Sequence, residues 1–144
     1  MSKNKVIVTV VAAKELKNKD GLFGKNDAYC NVKVGNKSHK TKVIYNAGSK
    51  ATWNETFQFE CTVDQDIMVQ AFDYDKLSMN DFIGVVRIPI LNIRNLGTSE
   101  QWWQLTEGSK KTGQVHLKIQ YVDLLLTLLL ASRSTRSRTI PSWC

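Results

Sequence analysis

Eight short β-rich runs, separated by turn-rich segments, are the feature that most limits what this chain can fold into. In the clearest runs, residues 55–60 and 115–121, apolar and polar side chains alternate, which is typical of strands with one face toward solvent. The runs are Lys5–Ala13, Ala28–Val34, Ser38–Ile44, Glu55–Glu60, Asp66–Phe72, Ile83–Pro89, Gln101–Leu105 and Gly113–Val122. We therefore expect an all-β fold, an eight-stranded antiparallel sandwich. The one helical feature expected is a single turn near residues 12–16.

The length of 144 residues and the apolar content of 42% allow one soluble domain, which we place at residues 1–123. Residues 124–144 differ, because a leucine-rich run is followed by a Ser/Arg-rich end that is typical of disorder. This tail is expected to lie outside the sandwich. The leucine run is too short to span a bilayer. It could pack on the sandwich, lie in a membrane interface beside its arginines, or be a processing remnant.

The formal net charge of +7 is unevenly distributed along the chain. Residues 1–123 hold 17 of the 20 basic residues and all 13 acidic ones, a net +4, and residues 124–144 add three arginines. Excess positive charge favours anionic partners, either membrane surfaces or nucleic acid, and charge alone does not choose between them.

The first residues and the cysteines indicate a cytoplasmic protein. The start of the chain shows alternation rather than the apolar block of a secretory signal. Cys30, Cys61 and Cys144 form an odd, widely spaced set, which favours free thiols over a disulfide framework. Cys30 and Cys61 are expected to be small buried residues.

Five aspartates fall in two loop-like stretches that flank predicted strands. They are Asp20, Asp27, Asp73, Asp75 and Asp81. Carboxylates gathered within roughly 5 Å repel by about 3 kcal/mol per pair at an effective dielectric near 20, so such a cluster favours a bound cation. Oxygen ligands suit the hard ion Ca²⁺. Aspartate is also a common turn residue, which is the alternative explanation for each one singly.

Residues 19–29 and 72–84 resemble the calcium-binding loops of C2 domains, a family of eight-stranded sandwiches that bind phospholipid. The Trp53-Asn54-Glu55 stretch and the closing strand 113–121 are also similar to that family, and the resemblance covers about residues 3–122. The first strand leads directly into the first acidic loop, an order similar to the circularly permuted, type II topology. The resemblance implies two or more Ca²⁺ ions that bridge the loops to anionic lipid.

The resemblance also implies roles for individual residues. Asp20 and Asp27 match the two ligands of the first loop, and Ser78 matches a position that adds an oxygen for a further ion. Asp73, Asp75 and Asp81 match the three ligands of the third loop. An EF-hand loop begun at Asp73 is disfavoured, because Leu77 and Gly84 would occupy ligand positions. Two prolines common in the family are absent, at Ala28 and before Trp53, which bears on loop rigidity and affinity.

Large apolar side chains accompany the acidic loops. They are Leu22, Phe23, Leu77 and Met79. Inserted into the acyl boundary of a membrane, each would gain about 1.5–3 kcal/mol. Alternatively, they pack down on their own loops.

Gly35-Asn36 is typical of a two-residue hairpin turn, and it sets the register of the flanking strands. The predicted pairs are Val34–Lys37, Lys33–Ser38, Asn31–Lys40 and Tyr29–Lys42. The face predicted to turn toward the core carries Cys30, Val32, His39, Thr41 and Val43. The opposite face carries Tyr29, Lys33, Lys40 and Lys42. Clustered lysines suggest an anionic ligand or simply a solvated strand face.

In the C2 family, a similar lysine-rich cluster binds phosphoinositide, with participation of a tyrosine after the second aspartate and an asparagine before the last. The resemblance implies these roles for Tyr29 and Asn80, beside Lys33, Lys40 and Lys42. A phosphoinositide site on this strand pair is therefore the second expectation.

No catalytic constellation is present in the sequence, and we expect a non-enzyme. The favoured function is calcium-dependent binding to membranes that contain phosphatidylserine or phosphoinositides, by a cytoplasmic monomer that is reversibly recruited. The alternative is an adaptor, calcium-regulated or constitutive, that binds an acidic protein partner. Nucleic-acid binding is disfavoured, because no aromatic stacking platform accompanies the lysines.

Overall fold

The computed structural model describes residues 4–18 and 25–138, with side chains through Ser132. The strands are β1 (Asn4–Lys14), β2 (Ala28–Val34), β3 (Lys37–Lys40), β4 (Ala51–Cys61), β5 (Asp66–Asp73), β6 (Asp81–Pro89), β7 (Thr98–Glu107) and β8 (Lys110–Asp123). The helices are α1 (Ile90–Leu96) and α2 (Leu124–Arg138).

The strands pair antiparallel in the order β3-β2-β5-β6-β7-β8-β1-β4. Strands β6 and β7 pair at one position, Val85 with Thr106, so the molecule consists of two four-stranded layers joined at this corner. The last strand, β8, lies beside the first, β1, in the second layer. The predicted all-β sandwich with type II order is confirmed.

The core lies between the two layers because apolar side chains alternate along each strand. Val6, Val8 and Val10 of β1 are completely buried, and so are Leu117 and Ile119 of β8. Burying a side chain of this size contributes about 1.5–3 kcal/mol. The alternation seen in the sequence thus specifies which face of each strand packs inward.

All eight predicted strands are present, most of them with shifted ends. The predicted run Ala28–Val34 is confirmed at both ends, whereas β3 ends at Lys40 instead of Ile44. Ile44 still forms an isolated bridge with Ala28. The helical turn predicted near residues 12–16 is wrong, because β1 continues to Lys14 and pairs there with β8.

Helix α1 was not predicted. Ile90 and Ile93 are buried and anchor it against the sandwich. It ends at Gly97, where φ is 78° and the backbone N–H donates to the Ile93 carbonyl at 2.8 Å. Positive φ favours glycine at such a helix end. At seven residues, the helix is too short to show a helical period in the sequence.

Helix α2 also differs from the expectation. The prediction of disorder is wrong as far as Arg138, because the chain is helical up to that residue. Asp123 caps the helix: its Oδ1 accepts a hydrogen bond from the Leu126 N–H at 3.1 Å. Within the described residues, no helix combines the length and the apolar character needed to cross a bilayer. That the tail lies outside the sandwich stays a prediction.

Cys30 and Cys61 are free, buried thiols, as expected. Burial raises the pKa of Cys30 to about 12, with a smaller contribution from the Glu55 charge, and raises that of Cys61 to about 11. Neither thiol is therefore activated as a nucleophile. Cys144 lies outside the described residues.

The corner between the layers gives a stability prediction. Gly84 is buried, and a Cβ at this position would collide with Thr112 Oγ1, a buried hydroxyl without a hydrogen-bond partner. Gly84→Ala should lower the free energy of unfolding by about 1–3 kcal/mol, measured by urea denaturation. Adding Thr112→Ala removes the oxygen and should restore part of the loss. Additive effects of the two changes would contradict this packing.

Candidate functional site

Strand register brings three of the predicted aspartates to one end of the first layer. Asp73 lies directly opposite Asp81 in the β5–β6 pair, and opposite Ala28 in the β2–β5 pair. Asp27 precedes Ala28, so the three carboxylates follow one another across neighbouring strand ends. Side chains of directly opposed residues have Cβ atoms about 4.5–5.5 Å apart, which places like charges side by side.

These side chains line a cavity of about 660 Å³ at this end of the sandwich. Four of the five predicted carboxylates contribute to it, together with Leu77, which was predicted as an apolar loop tip, and three further residues. The carboxylates are Asp27, Asp73, Asp75 and Asp81, and the other lining residues are Tyr45, Tyr74, Lys76 and Leu77. Asp20, the fifth predicted ligand, lies outside the described residues.

Backbone donors hold the two inner carboxylates. Asp73 is buried, with 3% of its surface exposed, and its Oδ1 accepts a hydrogen bond from the Asp27 N–H at 2.7 Å. Asp27 Oδ1 in turn accepts from the Asn46 N–H at 2.8 Å. The Tyr74 N–H donates to the Asp27 carbonyl at 2.8 Å. These bonds fix β2 against the start of the β5–β6 loop, so both carboxylates have defined positions.

The carboxylate of Asp75 is exposed and organises the β5–β6 loop around itself. Its Oδ2 accepts from the Ser78 hydroxyl at 2.7 Å, and its Oδ1 accepts from the Leu77 N–H at 2.9 Å. The Ser78 hydroxyl first, and then the Leu77 N–H, lower the pKa of Asp75, because both donors stabilise the charged form. Ser78, a predicted ligand, is thus in contact with a predicted carboxylate ligand.

The chemistry of the cavity fits a hard cation, because four carboxylates and two phenols supply oxygen atoms and the lining residues include no thiol or imidazole. One positive group, the ammonium of Lys76, also lines the cavity. The carboxylates are not, however, gathered around a single point. In the part of the chain that the structure describes, no three Asp, Glu, His or Cys side chains are placed so that they could hold one metal ion. The carboxylate of Asp75 instead accepts its hydrogen bonds from its own loop.

The tip of the β5–β6 loop is apolar and open to solvent. Leu77 is 95% exposed and Met79 is 88% exposed. Neither side chain packs down on its own loop, so the alternative considered from sequence does not apply to them. Leu22 and Phe23, the predicted apolar tip of the first loop, lie outside the described residues.

Asn80 connects the acidic loop to the predicted basic site. Its Oδ1 accepts from the Asp75 N–H at 2.9 Å, and its Nδ2 donates to the Tyr29 hydroxyl at 2.7 Å. The Tyr29 ring is buried and stacks on Phe72, with ring centroids 5.3 Å apart. The Lys40 ammonium lies 5.9 Å from the centre of the Tyr29 ring. The structure therefore brings Tyr29, Lys40 and Asn80 together.

The predicted hairpin register is confirmed for three pairs, Val34–Lys37, Lys33–Ser38 and Asn31–Lys40. The fourth pair, Tyr29 with Lys42, does not form because β3 ends at Lys40. Lys42 lies beyond the strand, where its carbonyl accepts from the Trp53 indole N–H at 2.8 Å.

The predicted core face of the hairpin is buried at three of its five residues, and Val43 is half-buried. Cys30, Val32 and Thr41 are buried, as expected. His39 was predicted on the core face but is exposed, because β3 is the edge strand and covers the core incompletely. Its ring still stacks on Phe57, with centroids 5.4 Å apart.

Arg87 was missed by the sequence analysis. Lys33 pairs with Met68, and Met68 pairs with Arg87, so the two basic residues lie on one surface of three neighbouring strands. Both line a cavity of about 310 Å³. The alternation of side chains within β6 indicates which face Arg87 occupies. It places Arg87 beside Lys33 only when β5 is known to lie between β2 and β6.

The sequence model of the C2 domain family matches residues 4–105. The chain belongs to this family, as the resemblance indicated. Extended synaptotagmin-1 of Rattus norvegicus is 31% identical over 125 residues, which are 82% of this chain and 11% of that protein. Elicitor-responsive protein 1 of Oryza sativa subsp. japonica is 29% identical over 111 residues, covering 72% of this chain and 70% of that protein.

Among solved structures, a calcium-bound structure of two C2 domains of extended-synaptotagmin 2 is similar, with a TM-score of 0.75 and 25% identity. The similarity covers 85% of this chain and 47% of that one. The chain therefore spans a small part of extended synaptotagmin-1 and about half of this two-domain structure.

Replacing Ser78 by Ala tests the organisation of the β5–β6 loop. The variant loses the hydroxyl that contributes most to lowering the pKa of Asp75, so this pKa should rise toward the ordinary value of an aspartate. The lowered pKa stabilises the folded protein at pH values above the ordinary pKa of an aspartate, and this stabilisation is lost as the pH falls through the lowered pKa. Ser78→Ala should therefore reduce the stabilisation. Carboxyl NMR titration in calcium-free buffer measures the shift. Ser109→Ala, an exposed control in another turn, should leave the Asp75 titration unchanged, and an equal shift in both variants would contradict the assignment.

Proposed function

We propose that this chain binds anionic phospholipid membranes in a calcium-dependent manner. The observation that carries the proposal is the convergence of Asp27, Asp73, Asp75 and Asp81 on one cavity beside an exposed apolar loop tip. Like charges in such proximity are tolerated best around a cation. The calcium-bound structure of a similar C2 domain pair adds support from a relative.

Asp27, Asp73 and Asp81 would hold the ions together with Asp75, and Asp20 would complete the set from the first loop. Asp75 must rotate for this role, exchanging the Ser78 and Leu77 donors for the ion. Released in this way, the Ser78 hydroxyl is an oxygen for a further ion. Five carboxylates suit two or more Ca²⁺ ions, which supply positive charge and open coordination positions for lipid phosphate oxygens.

The apolar loop tips would anchor the bound state. Leu77 and Met79 stand beside the cavity, and each would gain about 1.5–3 kcal/mol on entering the acyl boundary. Leu22 and Phe23 would do the same from the first loop. Before the ions bind, the negative cavity repels an anionic surface, so the tips reach the membrane only when calcium is present.

The basic hairpin would select phosphoinositides. Lys33, Lys40 and Lys42 are exposed and supply charge for phosphate groups, while Tyr29 and Asn80 position Lys40 beside the acidic loop. Because Asn80 also accepts from the Asp75 N–H, headgroup binding and ion binding would share one hydrogen-bond chain.

The chain would act as a monomeric, cytoplasmic binding module without catalytic activity of its own. The second candidate function is that of an adaptor that binds an acidic protein partner. The exposed lysines of the hairpin favour this function. The two differ in one observable property, because an adaptor need not sediment with vesicles.

Replacing Asp73 and Asp75 by Asn tests the calcium site. The double variant should lose calcium-dependent cosedimentation with phosphatidylserine vesicles, because two of the charges that attract the ion are removed. Glu60→Gln with Asp64→Asn is the control, since it changes the charge equally at and beside the exposed β4–β5 turn, away from both cavities, and should bind as the unmodified chain does. Retained calcium-dependent binding in the first variant would reject the proposed site.

Replacing Lys40 and Lys42 by Ala tests the lipid preference. Binding to vesicles that contain phosphatidylinositol 4,5-bisphosphate should weaken by about tenfold, as expected for losing two charged contacts. Binding to phosphatidylserine vesicles should change much less. The control Lys5→Ala with Lys118→Ala removes the same charge from the other layer. Equal weakening on both lipids would leave only a general electrostatic role.

A further inference from the structure

Helix α2 begins at the end of the sandwich that lies farthest from the acidic cavity. In the β1–β8 pair, Lys14 lies opposite Gln114, and Asn4 lies opposite Asp123. The Lys14 end adjoins the acidic cavity, since Asn26, the neighbour of Asp27, donates from its side-chain amide to the Lys17 carbonyl at 3.1 Å. At about 3.3 Å per residue, β8 carries the chain roughly 30 Å away before α2 starts.

Exposed leucines cover the first two turns of α2. Five of them have between 54% and 67% of their surface exposed: Leu125, Leu126, Leu128, Leu129 and Leu130. Leu126 and Leu130 line a shallow cavity of about 260 Å³ against the sandwich. Helical spacing places Leu125, Leu128 and Leu129 together on a different face. That face has no covering element in the described part of the chain, and soluble proteins rarely leave such a cluster bare.

The charge of residues 124–144 indicates which kind of partner covers the leucine face of α2. The segment from residue 124 to residue 144 holds three arginines and no acidic residue. Leucines followed by a segment whose charged residues are all arginines match the acyl boundary and the anionic headgroups of a phospholipid membrane. Asp123, the acidic residue that directly precedes the helix, is engaged as its N-terminal cap. A second copy fits less well, because two leucine-rich turns fall short of the three or four heptads of a coiled coil, and pairing would bring two basic tails together.

We infer that α2 is a second lipid contact, independent of calcium, which lies in the interface of an anionic membrane. Helix α2 and the acidic cavity lie at opposite ends of the sandwich. One chain can hold two lipid surfaces at once, one at each end of the sandwich. The bridging rests on the proposed function of the acidic cavity, whereas the contact of α2 with lipid does not.

The test uses the full chain with Leu128→Gln and Leu129→Gln. Cosedimentation with phosphatidylserine-containing vesicles in calcium-free buffer should weaken by about tenfold, since both leucines lose their apolar contact. Leu96→Gln is the matched control, because Leu96 is exposed to the same 67% as Leu128 but lies on α1. It should retain the binding of the unmodified chain. Calcium should then cause the unmodified chain to cluster vesicles, detected by light scattering, and the α2 variant should not cluster them.

Three outcomes would overturn the assignment of α2: no calcium-free binding by the unmodified chain, unchanged binding by the α2 variant, or an equal loss in Leu96→Gln. Self-association of the lipid-free chain that the α2 variant abolishes, without a change in vesicle binding, would assign the face to a second copy. Asp73→Asn with Asp75→Asn separates the two proposals. If it keeps the calcium-dependent increment while calcium-free binding still depends on α2, the acidic site is rejected and the α2 contact is supported.

Discussion

The proximity of like charges at the ends of β2, β5 and β6 is the constraint on which the rest of the structure depends. Antiparallel register sets it, because Asp73 cannot pair with Ala28 and Asp81 without bringing Asp27 into the same cavity. The fold stabilises this arrangement with backbone N–H donors at Asp73 and Asp27. The sandwich thus holds the carboxylates of Asp27 and Asp73 in defined positions, as the proposed calcium site requires.

Asn80 connects the acidic β5–β6 loop to the basic hairpin. One side-chain amide accepts from the Asp75 N–H and donates to the Tyr29 hydroxyl, and Lys40 lies over the Tyr29 ring. Under the proposed function, a movement of the β5–β6 loop toward an ion would change the surroundings of the basic hairpin. Together with the exposed loop tip, this contact would link the electrostatic and apolar parts of the proposed membrane binding within a few residues.

The sequence predicted what depends on local pattern and failed where tertiary context decides. The Gly35-Asn36 turn predicted three cross-strand pairs correctly, and alternation predicted the buried faces. His39 became exposed because burial at an edge strand depends on the neighbouring layer. Helix α2 was missed even though Asp123 is a good N-cap residue, because a low-complexity composition outweighed this signal. Arg87 required the strand order, which no local pattern contains.

Isothermal titration calorimetry of the full chain with Ca²⁺, with and without phosphatidylserine vesicles, tests the central claim most directly. We expect saturable binding in both titrations and tighter binding when vesicles are present, because lipid phosphate oxygens would complete the coordination of ions held by the aspartates. The absence of binding heat in both titrations, or an affinity that vesicles leave unchanged, would contradict this account.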